Sequence, residues 1–286
     1  MEEVFDEESW HYSNIIVDEG QDFGLIDKSI GVTQTDAENN CSIIDTIQEV
    51  VLENAGTFYL FYDKYQMIQG SSDIEYRLPD CINNSDCRLS LKRNCRNTKE
   101  IARTSVTPLR DSKNRAIKTT VASSWFEPVK PEMHIVADDK KAANKLNQIL
   151  DKYVLNEIDD IVILTPGTID YCCIADRLRT GDDDNIGYYV YPYAGKKYRV
   201  STCRKFKGLE ADAIIILDLD KNSFTGRKGL EFYVGTSRAK KRLDMICQIK
   251  EEDFPQIISD LDPNAPTKGN LFKILGGVFS AEINKA

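Results

Sequence analysis

No stretch of the 286-residue chain comes near the roughly 20 unbroken apolar residues that a membrane-spanning helix needs. The opening Met1-Glu2-Glu3 runs into an acidic stretch unlike a secretory leader. A soluble, cytoplasmic protein with no membrane partner is the expectation. There is no CxxC pair either. The eight cysteines (41, 81, 87, 95, 172, 173, 203 and 247) are scattered, and only two histidines are present to help bind zinc. A zinc module or disulfide framework is therefore not expected, and the cysteines read as reduced, mostly buried thiols. Basic residues are outnumbered, 37 against 46 acidic, for a net charge of −9. That balance argues against broad, nonspecific adhesion to nucleic acid or anionic lipid but leaves room for a local basic groove. Nothing has the form GxxxxGK[ST], so the loop that cradles a triphosphate, with its lysine and Mg²⁺-binding hydroxyl, is missing. Internal repeats and low-complexity tracts are also lacking.

What is present reads as strands alternating with helices. Ile15-Ile16-Val17 is an apolar, β-branched run that stops abruptly at Asp18-Glu19-Gly20-Gln21-Asp22. This is the pattern of a buried parallel strand whose C-terminal end opens into a polar crevice. Adjacent carboxylates there suit nucleotide hydrolysis, one holding Mg²⁺ through its water shell and the other polarising the attacking water. An acidic turn closing a strand is the simpler reading of the same residues. Next, Ile43, Ile44, Ile47, Val50 and Val51 recur at helical spacing before Asn54-Ala55-Gly56. Phe58 to Tyr62 is a second buried strand, ending at Asp63 and Gln66, and it neighbours the first if the helix is a right-handed crossover.

Residues 70 to 88, rich in Ser, Asp, Asn and Pro, read as an irregular connection that separates two domains, 1–80 and 81–286. Beyond it, Leu89 to Thr98 reads as a short alternating strand entering a helix that carries Ile101. Further strands are expected at Met133 to Val136, Ile161 to Leu164, Tyr188 to Tyr193, Val200 to Cys203, Ala213 to Leu219 and Leu243 to Ile249. A helix capped by Asp138 or Asp139 should run to about Tyr153, with Ala142, Leu146, Ile149 and Leu150 on one face. Another should carry Ile169, Cys172, Cys173 and Leu178, ahead of an acidic turn from Gly181 to Asn185. The sum is an α/β chain with a doubly wound, mostly parallel sheet. Tyr188, Tyr189, Tyr191 and Tyr193 alternate as strand residues do, which suits core and rim better than a base-stacking platform. Lys240-Lys241-Arg242 follows a helix and suits its C-terminal dipole or solvent better than DNA.

Five short motifs are more specific. Asp18-Glu19-Gly20-Gln21-Asp22-Phe23, Asp63 with Gln66, Asn94-Cys95-Arg96-Asn97, Lys207-Gly208-Leu209-Glu210 and Arg238-Ala239 come in an order that resembles the C-terminal part of UvrD/Rep-like superfamily 1 DNA helicases. They match, in turn, that family's Walker B, "GD..Q", "NYRS", "KGLE" and "TRA" motifs, over residues from about 14 to 250. The resemblance implies RecA-like sheets, with a remnant of the first domain in 1–80 and a nearly complete second in 81–286. It implies ATP and Mg²⁺ as cofactors and single-stranded DNA, or partly single-stranded duplex, as partner. Asp18 would hold Mg²⁺, Glu19 would act on the attacking water, and Gln66 would sense the γ-phosphate. Arg96 and Arg238 would reach that phosphate, where a planar guanidinium neutralises charge on the transferred group. Asp63, Gly208 and Glu210 would lie against the nucleotide, Glu210 accepting a hydrogen bond from the ribose. Thr202, Arg204, Lys205 and Lys207 would face the nucleic-acid strand. Read structurally instead, Arg96 and Arg238 are surface arginines paired with helix acids and Glu210 is an exposed carboxylate.

The departures from the family are as specific as the matches. Besides the missing phosphate loop, Cys95 stands in place of a tyrosine, Tyr62 in place of a glycine, and Gln69-Gly70-Ser71 where relatives carry an aromatic. Residues 97 to 200 leave little room for the large inserted subdomain of UvrD. The expectation is the C-terminal part of an ATP-dependent helicase, inactive as an ATPase by itself. Its N-terminal half, or a partner subunit, would supply the rest. The alternative is a natural, non-enzymatic nucleic-acid or protein-binding module.

Overall fold

The computed structural model describes residues 12–27, 43–68, 74–76, 79–85, 87–91, 93–121, 127, 129–180 and 189–285. The chain packs as two units, Met1–Ser90 and Leu91–Ala286.

The first unit contains β1 (Asn14–Val17), β2 (Leu25–Asp27), α1 (Ile43–Glu53), β3 (Thr57–Leu60), β4 (Ile74–Tyr76) and α2 (Asp80–Asn83). β1 and β3 pair in parallel, from Asn14 opposite Thr57 to Val17 opposite Leu60, and β2 pairs antiparallel with β4. α1 buries Ile44, Val50 and Val51 and closes where Gly56 N donates to Val51 O at 2.8 Å. Two expectations are corrected. The strands are one-sided rather than buried: Ile16 is 72% and Tyr59 59% exposed. Among the described residues they form a two-stranded sheet with α1 against β3, which leaves the other face to solvent. The irregular connection of 70–88 carries β4 and α2 instead. Asp45 of α1 explains the helix, because its carboxylate accepts from the backbone N of Asp80 (3.0 Å) and Cys81 (2.7 Å). That cap lies 35 residues away, where no local pattern announces it.

The second unit contains β5 (Arg93–Asn94), α3 (Lys99–Val106), β6 (Thr120–Val121), β7 (Glu132–Ile135), α4 (Asp139–Leu155), β8 (Ile161–Thr165), β9 (Arg179–Thr180), β10 (Tyr189–Tyr193), β11 (Lys196–Thr202), β12 (Ala211–Leu219), α5 (Gly226–Thr236), β13 (Ala239–Cys247), α6 (Phe254–Leu261), α7 (Leu271–Phe279) and β14 (Glu282–Lys285). Eight strands form one sheet in the order β14-β7-β13-β12-β8-β11-β10-β9. Pairing is parallel from β14 to β11 and antiparallel at β10 and β9. This is a mixed α/β fold on a large, mostly parallel sheet. Side chains alternate between its faces. Val162 and Leu164 join Ile214, Ile216 and Met245 under Ile101, Phe232, Ile258 and Phe279 of α3, α5, α6 and α7. Ile161 and Ile163 join Ile215 and Ile246 under Leu146, Ile149 and Leu150 of α4. α4 starts at the Asp138 cap, whose carboxylate accepts from Lys141 N at 2.8 Å.

Three expectations fail here. Leu89 and Leu91 are 93% and 91% exposed, and the strand expected around them shrinks to β5, whose sole strand partner among the described residues is β6. The helix expected around Ile169 to Leu178 is two single 3₁₀ turns, Ile169–Tyr171 and Ala175–Arg177, with extended backbone at Cys172 (φ −69°, ψ 143°). Asp218 holds that segment against the sheet, accepting from Cys173 N at 3.1 Å and from Thr165 Oγ1 at 2.8 Å. Lys240, Lys241 and Arg242 lie on β13 rather than at a helix end, Lys240 and Lys241 at a register shift opposite Asp212 and Arg242 opposite Ala213. Cys172, Cys203 and Cys247 are buried, Cys81 and Cys173 half-buried, and Cys87 and Cys95 exposed. Burial and the Asp45 carboxylate push the Cys81 thiol up. The turn at Gly181 to Asn185, Tyr188, Gln69-Gly70-Ser71 and Cys41 lie outside the described residues. No helix among the described residues is long and apolar enough to cross a membrane.

One polar cluster sits inside the α4 face of the sheet. His134 Nε2 lies 2.6 Å from Asp244 Oδ1, and the Tyr153 hydroxyl donates to Asp244 Oδ2, with all three residues buried. Burial, followed by the Asp244 carboxylate, holds the Tyr153 phenol well above its ordinary range, so it remains a donor. Tyr153→Phe leaves one Asp244 oxygen unpaired in the core and should cost about 1–3 kcal/mol. Urea unfolding at neutral pH should show this as a lower midpoint with an unchanged slope. A loss below about 0.5 kcal/mol would mean that Asp244 is satisfied by another donor.

Candidate functional site

In the first unit, the acids after β1 and the polar residues after β3 meet. Phe61 N donates to Val17 O and Gly20 N to Phe61 O, each at 2.8 Å, so the parallel ladder continues into both turns. A Cβ at Gly20 would stand 2.4 Å from Leu60 Cδ2, so a larger residue there would have to displace the Leu60 side chain. Glu19 adopts a left-handed backbone (φ 54°), uncommon for a side chain of its kind, and its N–H accepts restraint from Asp18 by donating to Oδ1 at 2.8 Å. Gln21, fully buried, ties the two turns together. Its Nε2 donates to Glu19 Oε2, and its Oε1 accepts from Asp63 N at 2.9 Å. Asp63 in turn caps the next turn at Tyr65 N (2.9 Å) and accepts from Gln66 Nε2 at 3.0 Å. Asp18 is exposed, leaving its carboxylate accessible to solvent.

In the second unit, three segments distant in sequence converge at the N-terminal ends of β12 and β13. Asn94 Oδ1 accepts from Arg96 N and Asn97 N, each at 3.0 Å, folding residues 94–97 into a tight turn. Asn97, buried, donates its amide to Ser237 O (2.9 Å) and Ala239 O (2.6 Å) while its Oδ1 accepts from Asn94 Nδ2 at 2.7 Å. Arg96, thus placed, forms an ion pair with Glu210, Nε to Oε2 at 2.8 Å. Arg238 is buried, with Nε donating to Val234 O at 3.1 Å. Below Glu210, Asp212 binds Lys240 at 3.1 Å and Lys241 at 2.6 Å. Burial raises the Asp212 carboxyl, but the two ammonium groups outweigh it and hold the carboxyl below the usual range. The Lys240 ammonium is raised, mainly by its bond to Asp212.

The residues expected to face nucleic acid lie on the turn between β11 and β12. Thr202 ends β11 and Ala211 starts β12, both parallel to β8, so this turn crosses from the C-terminal edge of the sheet to the N-terminal edge. Cys203 and Phe206 anchor it in the core. Thr202 Oγ1 accepts from Lys205 N at 3.1 Å, leaving the Lys205 side chain exposed. Arg204 is engaged with buried Glu231, Nε and Nη2 to Oε1 at 2.9 and 2.6 Å. Lys207 is half-buried, and Gly208 takes a left-handed conformation (φ +84°) that turns the chain toward Glu210.

Sequence reading did not single out Gln21, Asn97 as a clamp or Asp212, and it assigned Lys240 to a helix end or solvent rather than to this corner. The signal for the first two was a lone amide among motif carboxylates and arginines, where a buried polar group must find partners. No such signal marked Asp212 and Lys240, which depend on strand register. Among the described residues, two other groups bring potential metal ligands together: Glu132, His134 and Asp244, and Cys172, Cys173 and Asp218. In the first, Asp244 is taken by His134 and Tyr153 and Glu132 by Lys152. In the second, the Cys172 thiol, then burial and Asp218, push the Cys173 thiol far up, so it stays protonated.

Asn97→Asp should destabilise the second unit more than Asn97→Ala, because the carboxylate oxygen that replaces Nδ2 faces two carbonyl oxygens and has nothing to accept. A loss of about 1–3 kcal/mol is expected for the alanine variant. The carboxyl at 97 would be raised in the folded state, so the aspartate variant's deficit should shrink as pH falls from 7 toward 4. A pH-independent deficit in urea titrations would show that the clamp does not depend on the amide donor.

No family model matches the chain, and no curated protein matches it. Among solved structures it is similar to one described as the C-terminal domain of a possible DNA helicase from Lactobacillus plantarum WCFS1. The identity is 13% and the TM-score 0.38, covering 54% of this chain and 88% of that one. A superposition of that extent does not define a common architecture.

Proposed function

We propose that this chain is the C-terminal part of an ATP-dependent superfamily 1 DNA helicase, built on RecA-like sheets. In the complete protein ATP hydrolysis would be coupled to movement along single-stranded DNA. The observation that supports this best is the convergence of residues 94–97, 207–210 and 236–239 at one corner of the second unit, through the Asn97 amide and the Arg96–Glu210 pair. In this reading Asp18 holds Mg²⁺ through its water shell, and Glu19, restrained by Gln21, polarises the attacking water. Gln66 senses the γ-phosphate in the first unit's site, and in the second unit the exposed guanidinium of Arg96 neutralises phosphate charge, with Arg238 buried behind it and Nε on Val234 O. Glu210 receives the ribose, and Lys205 on its exposed turn tracks the phosphates of the strand. The phosphate loop comes from an N-terminal half or a partner subunit.

A second reading, a binding module without catalysis, is favoured by the missing GxxxxGK[ST] segment. Steady-state phosphate release and single-stranded DNA binding separate the two. The chain alone should release no phosphate, with or without DNA. It should bind single-stranded oligonucleotide at low salt, and Lys205→Glu should weaken that binding and reduce the salt slope by about 1. Addition of a phosphate-loop partner should restore turnover that Glu19→Gln abolishes. Robust turnover by the chain alone, lost in Glu19→Gln, would overturn the premise that the missing loop is essential. No DNA binding at any salt would overturn both readings of the turn.

A further inference from the structure

Glu210 serves two cations. Its Oε2 accepts from Arg96 Nε at 2.8 Å, and its Oε1 lies 3.9 Å from Lys240 Nζ, which also binds Asp212 at 3.1 Å. Arg96 uses one edge of its guanidinium. Among the described residues its two terminal nitrogens have no partner, so the bidentate fork that arginine forms with a carboxylate or phosphate is not made. All three side chains reach solvent, at 38% for Arg96, 47% for Glu210 and 27% for Lys240. A single-point ion pair at that exposure is weak enough to be exchanged. Both cations lie beside the Glu210 carboxylate, Arg96 at 2.8 Å and Lys240 at 3.9 Å, with Lys240 closer to Asp212.

We propose that Glu210 is an internal counter-anion for Arg96 and Lys240, and that a polyphosphate binds this corner by displacing it, with Lys240 as an additional phosphate-binding cation. The proposal rests on the reading above that this corner receives a nucleotide's phosphates, and it changes the part played by two residues. Glu210 becomes a competitor for the arginine as well as an acceptor for the ribose. Lys240 joins the site from a strand position that the family motifs do not include. The exchange is purely ionic: a monodentate carboxylate contact is replaced by bidentate phosphate contacts on the same guanidinium, and Lys240 keeps Asp212 as its second anion.

The two roles of Glu210 predict opposite signs for different ligands. Inorganic tripolyphosphate carries no ribose, so it reports the counter-anion alone, whereas ATP reports both. Dissociation constants for each, measured calorimetrically at low salt, should behave as follows. Glu210→Gln should bind tripolyphosphate about 2- to 5-fold more tightly than the natural chain, the range expected for releasing an exposed ion pair. Glu210→Asp, which keeps the charge but shortens the reach to Arg96, should show a smaller gain of the same sign, so that net charge is not the cause. The gain should vanish in an Arg96→Gln background, and Lys240→Gln should weaken tripolyphosphate in either Glu210 form. If Glu210→Gln leaves tripolyphosphate binding unchanged or weaker, or if the gain persists without Arg96, the counter-anion role is wrong while the nucleotide corner stands. If neither ligand binds the natural chain or Glu210→Gln, the corner receives no nucleotide and both inferences fall.

Discussion

Burial of β8 and β12 on both faces is the constraint from which the larger unit follows. Every residue of β8 is buried, and along β12 the two positions that are not buried are Asp212 and Asp218. A parallel strand with no solvent face needs helices above and below it, and the apolar alternation of these strands is matched by α4 on one side and by α3, α5, α6 and α7 on the other. Charge is thereby expelled to the strand ends. Asp212, second in β12, gathers Lys240 and Lys241; Asp218, second from its end, gathers Thr165 and Cys173. One apolar strand with an acid near each end organises both edges of the sheet.

This arrangement explains why the motif residues of the second unit cluster. Glu210 immediately precedes β12 and Arg238 immediately precedes β13, and those strands pair in parallel from Ala211 opposite Ala239. Side chains at equivalent strand starts are neighbours whatever separates them in sequence. The turn at 94–97 is recruited to the same corner by the Asn97 amide, which spends both donors on the backbone just before and at the start of β13. The corner is therefore built by backbone register and one buried amide, and its charged groups are free to be chosen for chemistry.

Legibility in the sequence followed the source of each element's stability. β8, β12, β13 and α4 were readable because their apolar periodicity is a direct record of which face is buried. The helix expected through Cys172 and Cys173 had the right periodicity over too few turns, and a carboxylate 45 residues away competed for its backbone N–H. Leu89 and Leu91 alternate as strand residues do, yet alternation stabilises a strand only where another strand and a core receive it. Lys240 and Lys241 looked like a helix tail because the helix ends only four residues before Lys240 and nothing local marks the start of β13.

The residue order alone determined the α/β class, the main strands of the core and the set of acids, amides and arginines available at strand ends, because these depend on local periodicity and on where apolar runs stop. Only the tertiary structure decided which of those groups meet. Gln21 bridges two turns, Asn97 clamps a distant strand start, Arg204 is spent on Glu231, and Arg96 is held by Glu210. Hydrogen bonds and ion pairs act over about 3 Å, and the separations along the chain that they span carry no trace of them in the sequence.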